Sequence, residues 1–450
     1  MTLDVRGKRV AVVGLASSGV AAVRALTAAG ASVRVTEARP RVDVGDAADE
    51  AERLGAEVLA GGHAPGHLEA VDLVVTSPGV PEHGEILRWA VAQDLPVWSE
   101  LEVGARLARV PYVGITGTNG KTTTTEMVAA VMRAAGLDAI GCGNMGHPFS
   151  AAATESHQAL AVEASSFQLR FHESFHPQVS VLLNVATDHL DWHRSTDAYH
   201  QAKARIYALQ GPGDVHVGNR DDEVTTGLSA RAPCQVTWFS LGPPADGEVG
   251  YRESELVARL DGERSLGPAT SELPSLRVDA AAAAAAALAF GIAPQAVEEG
   301  LRTFRPLPHR GEVVAEVGRV AFVDDSKATN PHAALSTIEG FDRAVLICGG
   351  QSKGVDLSPM AGAIPHLTGV VVLGEAADEL EAIFEGHVPV RRAASIEEAV
   401  TQGHAMARPG GAVVLAPACS SWDMFRDYRE RGDRFSAAAR SLAAKGREAV

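Results

Sequence analysis

Apolar positions along the chain come in short runs, and each run stops at a glycine or a polar cluster. In "KRVAVVGLASSGVAAVRALTAAGASVRVTEAR" a β-branched run over residues 10–13 meets Gly14. A helical Ala/Val/Leu pattern over residues 20–29 follows, Gly30 stops it, and Val33 and Val35 begin a second strand. That order predicts a β-α-β unit of a parallel sheet. "VDLVVTSPGV" repeats the strand-then-loop theme, and "LPVWSELEVGARLARVP" closes the first region near Pro111. The second region opens with a strand over residues 113–115, a glycine loop, and a helix with Met127, Val128, Val131 and Met132 on one face. "ALAVEASS" and "VSVLLNVATDH" are further strands, and Pro306 and Pro308 mark a linker. In the third region "RVAFVDDSKATNP", "RAVLICGGQSKG", "GVVVLGEA" and "GAVVLAPACSSWDMF" each run from an apolar strand into a polar or Gly-rich loop. Ligands of open α/β sheets bind beyond the carboxyl ends of strands, so chemistry is expected just after each apolar run. The uninterrupted Ala run over residues 280–287 predicts a buried, closely packed helix, with Asp279 suited to its start.

Composition narrows the classes. The 450 residues are too many for one core, and 46% hydrophobic with 21% charged residues is an ordinary globular balance. A net charge of −16 argues against a general nucleic-acid binder. Anionic small molecules remain compatible, because local Lys, Arg and helix N-termini bind them. Cys142, Cys234, Cys348 and Cys419 lie far apart, which favours a reducing compartment over a disulfide framework or zinc site. The N-terminus is too polar for a secretory signal, and no apolar run approaches about 20 residues. The expectation is a cytoplasmic protein without membrane insertion.

The chemistry starts at "YVGITGTNGKTTTTEM". The common phosphate-loop pattern wants a glycine where this chain has Ile115, yet strand, Gly117, Gly120, Lys121, Thr122 and helix are the required context. Lys121 would reach the β- and γ-phosphates of ATP, and Thr122 would ligate Mg²⁺. Glu163, ending "AVE", suits a Mg²⁺ ligand or a helix-capping surface carboxylate. "NVATDHLDWH" gathers Asp188, His189, Asp191 and His193. Hard cations take such oxygens with an occasional imidazole, although His193 alone reads as a solvated loop residue. Lys203, within "YHQAKARIY", reads on residue type as an exposed helix lysine. In the third region His309, Arg310, Asp324, Asp325, Ser326, Lys327, Thr329, Asn330, Lys353, Ser420 and Ser421 follow strands, and several converging donors would suit a dianionic small substrate. "GLASSG" is a weak dinucleotide fingerprint with Ala16 in place of its middle glycine, and Glu37 stands 23 residues beyond Gly14, near the usual place of a ribose-binding acid.

In this order the motifs resemble the Mur ligase family over essentially the whole chain. The resemblance rests on "GTNGKTT", "GNMGHPF", "EASSFQL", "NVATDHLDWH", "YHQAKARIY", "LPHRGE", "DDSKATNP", "GGQSKG" and "PACSSWDMFRDYRERG". It implies a three-domain α/β fold: a Rossmann-like UDP-substrate domain over 1–109, a central P-loop-type ATP-binding domain over 110–306, and a Rossmann-like amino-acid/ATP domain over 307–450. "DDSKATN" points to the members that add D-glutamate to UDP-N-acetylmuramoyl-L-alanine in peptidoglycan precursor synthesis. The expectation is a monomer with no nucleic-acid partner. Catalytic roles fall on Lys121, His189 and Lys203, and ATP would be held by Gly117, Thr118, Asn119, Gly120, Lys121, Thr122, Thr123, Asp279, Arg310 and Asp325. Two Mg²⁺ ions would sit on Thr122, Glu163, His189 and a carbamoylated Lys203, whose added CO₂ turns a cation into an oxygen ligand. Ser17, Ser18, Glu37, Arg39 and Ser77 would bind the UDP end, Asn144 the muramoyl part, and Lys327, Thr329, Lys353, Ser421, Trp422 and Tyr428 the D-glutamate. The implied reaction activates the alanyl carboxylate as an acyl phosphate, which the amine of D-glutamate then attacks.

The chain departs from the family at the adenine segment, where an expected His-Asn falls on Ser275-Leu276 and an expected Asn on Asp279. Asp279 accepts a hydrogen bond but cannot donate one. Trp422 replaces a more usual aliphatic residue. The competing readings are a sister ligase or folylpolyglutamate synthase, which "DDSKATN" and the first domain oppose, and a non-catalytic nucleotide binder, which the joint presence of Lys121, Glu163, His189 and Lys203 opposes.

Overall fold

The computed structural model describes residues 3–186, 190–193, 195–352 and 354–448. The chain divides into two compact units, one of Met1–Thr270 with Val278–Phe304 and one of Ser271–Arg277 with Arg305–Val450.

The first unit holds two sheets. The N-terminal one is fully parallel, in the order Glu57–Ala60, Ser32–Glu37, Arg9–Val13, Leu73–Thr76, Val97–Ser99. Its three inner strands are largely buried valine-rich runs, as a sheet covered on both faces requires. The central sheet has nine strands. Tyr112–Thr116 lies between Ala159–Glu163 and Val179–Leu182, all parallel. Glu248–Arg252, Glu255–Arg259 and Glu263–Pro268 extend the far edge as an antiparallel meander.

The Ala run is wholly buried against the Val113, Ile115 and Met127 side of the central sheet. Small side chains let this helix approach the sheet closely. The helix spans Pro274–Ala289, so Asp279 lies in its second turn rather than at its start. Proline at the first helical position is the reason, because its fixed φ suits the helix and its missing N–H has no partner there anyway.

The second unit carries a six-stranded sheet in the order Glu312–Val317, Val320–Asp324, Ala412–Leu415, Ala344–Gly349, Leu367–Leu373, Val390–Arg392. Only the Glu312–Val317 edge strand runs antiparallel. Residues 271–277 group with this unit. Leu273 packs where Gly311 has no side chain, and Leu273 and Pro274 pack beside Gly340.

Candidate active site

The Tyr112–Thr116 strand is central and fully buried, and delivers Gly117 to the sheet's carboxyl edge. Gly120 caps the Lys121–Ala134 helix in the left-handed conformation, at φ +80°. A side chain at Gly117 would crowd Leu183, and one at Gly120 would strike the Asp279 carboxylate. The loop is held from behind by Asn184, whose Oδ1 accepts from the amides of Thr118 and Asn119 at 3.1 and 2.9 Å. Thr118 Oγ1 lies 3.0 Å from the Tyr199 hydroxyl. The Lys121 ammonium folds back over the loop and donates to the carbonyls of Gly117 and Thr118, each at 2.9 Å. Thr122 stands beside it in the first helical turn, and Thr123 is buried.

Lys203 is not an exposed helix lysine. The Thr196–Ala204 helix buries it, its ammonium donates to the Gly117 carbonyl at 2.6 Å, and it sits 4.5 Å from the Tyr199 ring centroid. Lys121 and Lys203 therefore meet on one carbonyl oxygen. Asp279 is buried beside the same loop and accepts from Thr124 Oγ1 at 3.2 Å.

Glu163 ends its strand in the interior and not on the surface. Asn144 Nδ2 donates to Glu163 Oε1 at 2.9 Å, and the Asn144 amide donates to the Glu163 carbonyl. Glu163 Oε2 is buried with no hydrogen-bond partner. A carboxylate oxygen left so is costly unless a cation takes it. A buried carboxylate oxygen of this kind fits Mg²⁺, a hard cation that takes oxygen ligands. His193, read from sequence as solvated, is buried; its Nε2 lies 2.9 Å from Ser166 Oγ and its ring stacks on Phe167. Its flanking Trp192 indole explains the burial, closing over the same rings. Asp188 and His189 lie outside the described residues, as does Lys353.

In the N-terminal sheet, Glu37 closes the loop around Gly14. Its carboxylate accepts from the Leu15 amide at 2.7 Å and from the Arg39 amide and guanidinium at 2.9–3.0 Å. Burial opposes its ionisation, but the Arg39 hydrogen bonds, the two amides and the Arg39 charge outweigh burial and lower its pKa to about 2. Ser77 Oγ donates to the Gly14 carbonyl at 3.3 Å. Ser18 is buried and Ser17 exposed on the following helix. Thr36 Oγ1 lies within 2.9 Å of Nδ1 of both His63 and His67, a cluster with no sequence motif to announce it.

In the second unit the three central strands release their loops on one edge. His309, at φ +65°, holds Asp324 at 2.7 Å through Nδ1, and Ser436 Oγ donates to the same carboxylate. Asp325 keeps part of its residue surface, but its carboxyl is enclosed. Burial pushes its pKa up to about 6 against the Thr337 hydroxyl bond and the Arg310 charge. Lys327 Nζ sits 4.4 Å from the Tyr428 ring centroid, and the Thr329 amide turns back to the Lys327 carbonyl. Ser421 is buried and anchors the Phe425 amide through its carbonyl, whereas Trp422 is 65% exposed. Arg431, fully buried, donates to Ser326 Oγ at 3.0 Å, to the Ser326 carbonyl at 2.8 Å and to the Cys419 carbonyl at 3.2 Å. One guanidinium thus ties the loop of Lys327 and Thr329 to that of Ser421. Sequence reasoning did not single out Arg431, Tyr199 or Asn184. Asn184 alone had a signal, an amide directly after an apolar strand.

Known proteins match the chain along its length. The Mur ligase MurD-like N-terminal domain matches residues 8–99, the Mur ligase middle domain residues 115–273, and the Mur ligase glutamate ligase domain residues 309–419. The UDP-N-acetylmuramoylalanine–D-glutamate ligase of Frankia casuarinae is 43% identical over 97% of this chain and 94% of its own. That of Pelotomaculum thermopropionicum is 40% identical over 98% and 99%. Among solved structures, Thermotoga maritima MurF in complex with ADP shares the fold at a TM-score of 0.62, with 16% identity over 92% of this chain and 95% of that one. With three matching domains and such relatives over nearly its full length, the chain belongs to the Mur ligase family of ATP-dependent ligases.

Proposed function

We propose that this chain joins D-glutamate to UDP-N-acetylmuramoyl-L-alanine at the expense of ATP, through an acyl phosphate, in peptidoglycan precursor synthesis. The observation that carries the acceptor choice is the "DDSKATN" loop at residues 324–330, which Arg431 fastens to the loop of Ser421 with Lys327 over Tyr428. Lys327, Thr329 and Ser421, with Lys353, offer the donors a dicarboxylate needs. The names of the relatives at 40–43% identity support the same choice.

ATP is assigned to residues 117–123 with Asp279, Arg310 and Asp325. On nucleotide entry Lys121 would exchange the Gly117 and Thr118 carbonyls for phosphate oxygens, which it neutralises. Glu163 Oε2 and Thr122 would hold one Mg²⁺, and His189 with a carbamoylated Lys203 a second. When bound, the ions offset repulsion between the attacking carboxylate and the γ-phosphate. The burial of Lys203 keeps water from its side chain, a condition under which an uncharged amine can accept CO₂. Asn144 would orient the muramoyl part, and Ser17, Ser18, Arg39 and Ser77, around the loop that Glu37 shapes, the UDP end. In this reading the domains are 1–109, 110–306 and 307–450, and the enzyme acts as a cytoplasmic monomer. Among the described residues no helix is long and apolar enough to cross a membrane.

The test is direct. The purified protein is incubated with ATP, Mg²⁺, UDP-N-acetylmuramoyl-L-alanine and D-glutamate, and phosphate and ligated product are measured. Equal amounts of both are expected. Product with L-lysine or meso-diaminopimelate but not D-glutamate would overturn the acceptor choice, and none with any amino acid would overturn the ligase reading.

A further inference from the structure

Glu100 is a carboxylate in the wrong place for a structural side chain. It opens the Glu100–Leu107 helix and is 1% exposed. No Lys or Arg pairs with it among the described residues, and His147 is the cation source that acts on it from a distance. Burial pushes its carboxyl above the usual range, against hydrogen bonds from Ser150 and Gln168. An apolar side chain of similar size would fill the space without that desolvation.

What the carboxylate does there is join two segments. Oε1 accepts from the Ser150 amide at 2.6 Å, and Oε2 accepts from Gln168 Nε2 at 3.4 Å. Ser150 belongs to the short helix Phe149–Ala152, which ends the loop carrying Asn144. Gln168 sits in the helix that follows Glu163. Its other amide atom, Oε1, accepts from the Ser165 amide at 3.0 Å and from Ser165 Oγ at 2.9 Å, and so fixes the turn leaving the Glu163 strand. Ser99, the neighbour of Glu100, donates to the Gln168 carbonyl at 2.8 Å. The circuit closes where Asn144 meets Glu163 through both backbone and side chain. Gly104 on the same helix leaves room for Phe149, so the helix lies close enough for Glu100 to reach both segments.

We propose that Glu100 is a positioning residue, which sets Asn144 and the unpartnered oxygen of Glu163 relative to each other through Ser150 and Gln168. This rests on the ligase reading for what Asn144 and Glu163 hold, but the positioning itself can be measured apart from it. Glu100→Gln keeps shape and the bond from Ser150, but faces the Gln168 NH₂ with a second donor. The exchange Glu100→Gln with Gln168→Glu restores that bond with its polarity reversed, because residue 168 still accepts from Ser165.

Three readouts are compared across wild type, Glu100→Gln and the exchange variant. They are Mn²⁺ binding by electron paramagnetic resonance with an ATP analogue present, hydrogen exchange of the Ser150 and Gln168 amides, and steady-state kinetics. In Glu100→Gln, Mn²⁺ affinity should fall and the KM for UDP-N-acetylmuramoyl-L-alanine should rise, each about tenfold. The two amides should exchange faster, and the exchange variant should recover most of all three effects. A Glu100→Gln protein with unchanged Mn²⁺ affinity and KM, losing only thermal stability, would overturn the proposal. So would failure of the exchange variant to recover any of them while folded. If wild type makes no ligated product, the ligase reading fails, while Mn²⁺ binding and amide exchange still decide the role of Glu100.

Discussion

The Asp279 carboxylate lies where the side chain of residue 120 would be, which makes glycine obligatory at the turn. Two independent constraints coincide there, the left-handed φ of +80° and the contact with Asp279. Gly120→Ala should lose about 1–3 kcal/mol from the backbone conformation alone. The collision adds to it by moving Asp279 off Thr124. A lowered melting temperature and loss of ADP binding by calorimetry are expected. Asp279→Asn keeps an acceptor for Thr124 and should leave stability unchanged, so only Gly120→Ala should unseat the loop.

Two ammonium groups share the Gly117 carbonyl, Lys203 at 2.6 Å and Lys121 at 2.9 Å. Lys203→Met keeps an unbranched stem on the Tyr199 ring, and Lys121 still satisfies the carbonyl. Nucleotide affinity should therefore hold within a few-fold, while turnover falls by about 10²–10³ as expected for loss of a transition-state charge partner. Lys121→Met should do the opposite to binding, raising the Kd for ATP. Calorimetric Kd against phosphate release separates the two.

The alternation of apolar runs and polar loops was enough to read the three α/β regions, because buried parallel strands are continuous Val/Ile/Leu segments. The phosphate loop was legible from Gly117, Gly120 and Lys121, whose roles depend on local backbone geometry. Lys203 and His193 misled because burial is decided by residues remote in sequence, here Gly117 and Phe167, that no local pattern brings together. The start of the Ala-rich helix was misplaced because Asp279 resembles a cap, and its true partner is Thr124, 155 positions earlier. Glu100 and Arg431 were invisible for the same reason, since each acts through groups of segments remote in sequence.

His309 gives the second unit a pH response. The hydrogen bond to Asp324 raises its pKa against burial, with help from the charges of Asp324, Asp433 and Glu312. A proton bound more tightly in the folded state stabilises that state at low pH. The contribution is full below the ordinary histidine value of about 6.5 and is lost as pH rises through the raised folded value. Melting temperature of wild type minus that of His309→Gln should therefore shrink from pH 6 upward. A difference that grows with pH would reverse the assignment of which state holds the proton.

Arg431 supplies the last prediction. Its guanidinium carries no carboxylate partner at hydrogen-bond distance among the described residues, and burial lowers its pKa to about 10, so it stays charged at neutral pH. Three bonds in a planar fork, to Ser326 Oγ, the Ser326 carbonyl and the Cys419 carbonyl, are what offset its desolvation. Lysine keeps the charge but has a single nitrogen, which cannot span both loops. Arg431→Lys leaves at least one buried carbonyl unpaired, at a cost of about 1–3 kcal/mol. If the fork served only stability, the melting temperature would fall and the KM for D-glutamate would stay unchanged. Because it joins the loop of Lys327 and Thr329 to that of Ser421, that KM should rise severalfold with ATP affinity unchanged. Steady-state kinetics with each substrate varied in turn, on protein kept well below its melting temperature, distinguishes the two.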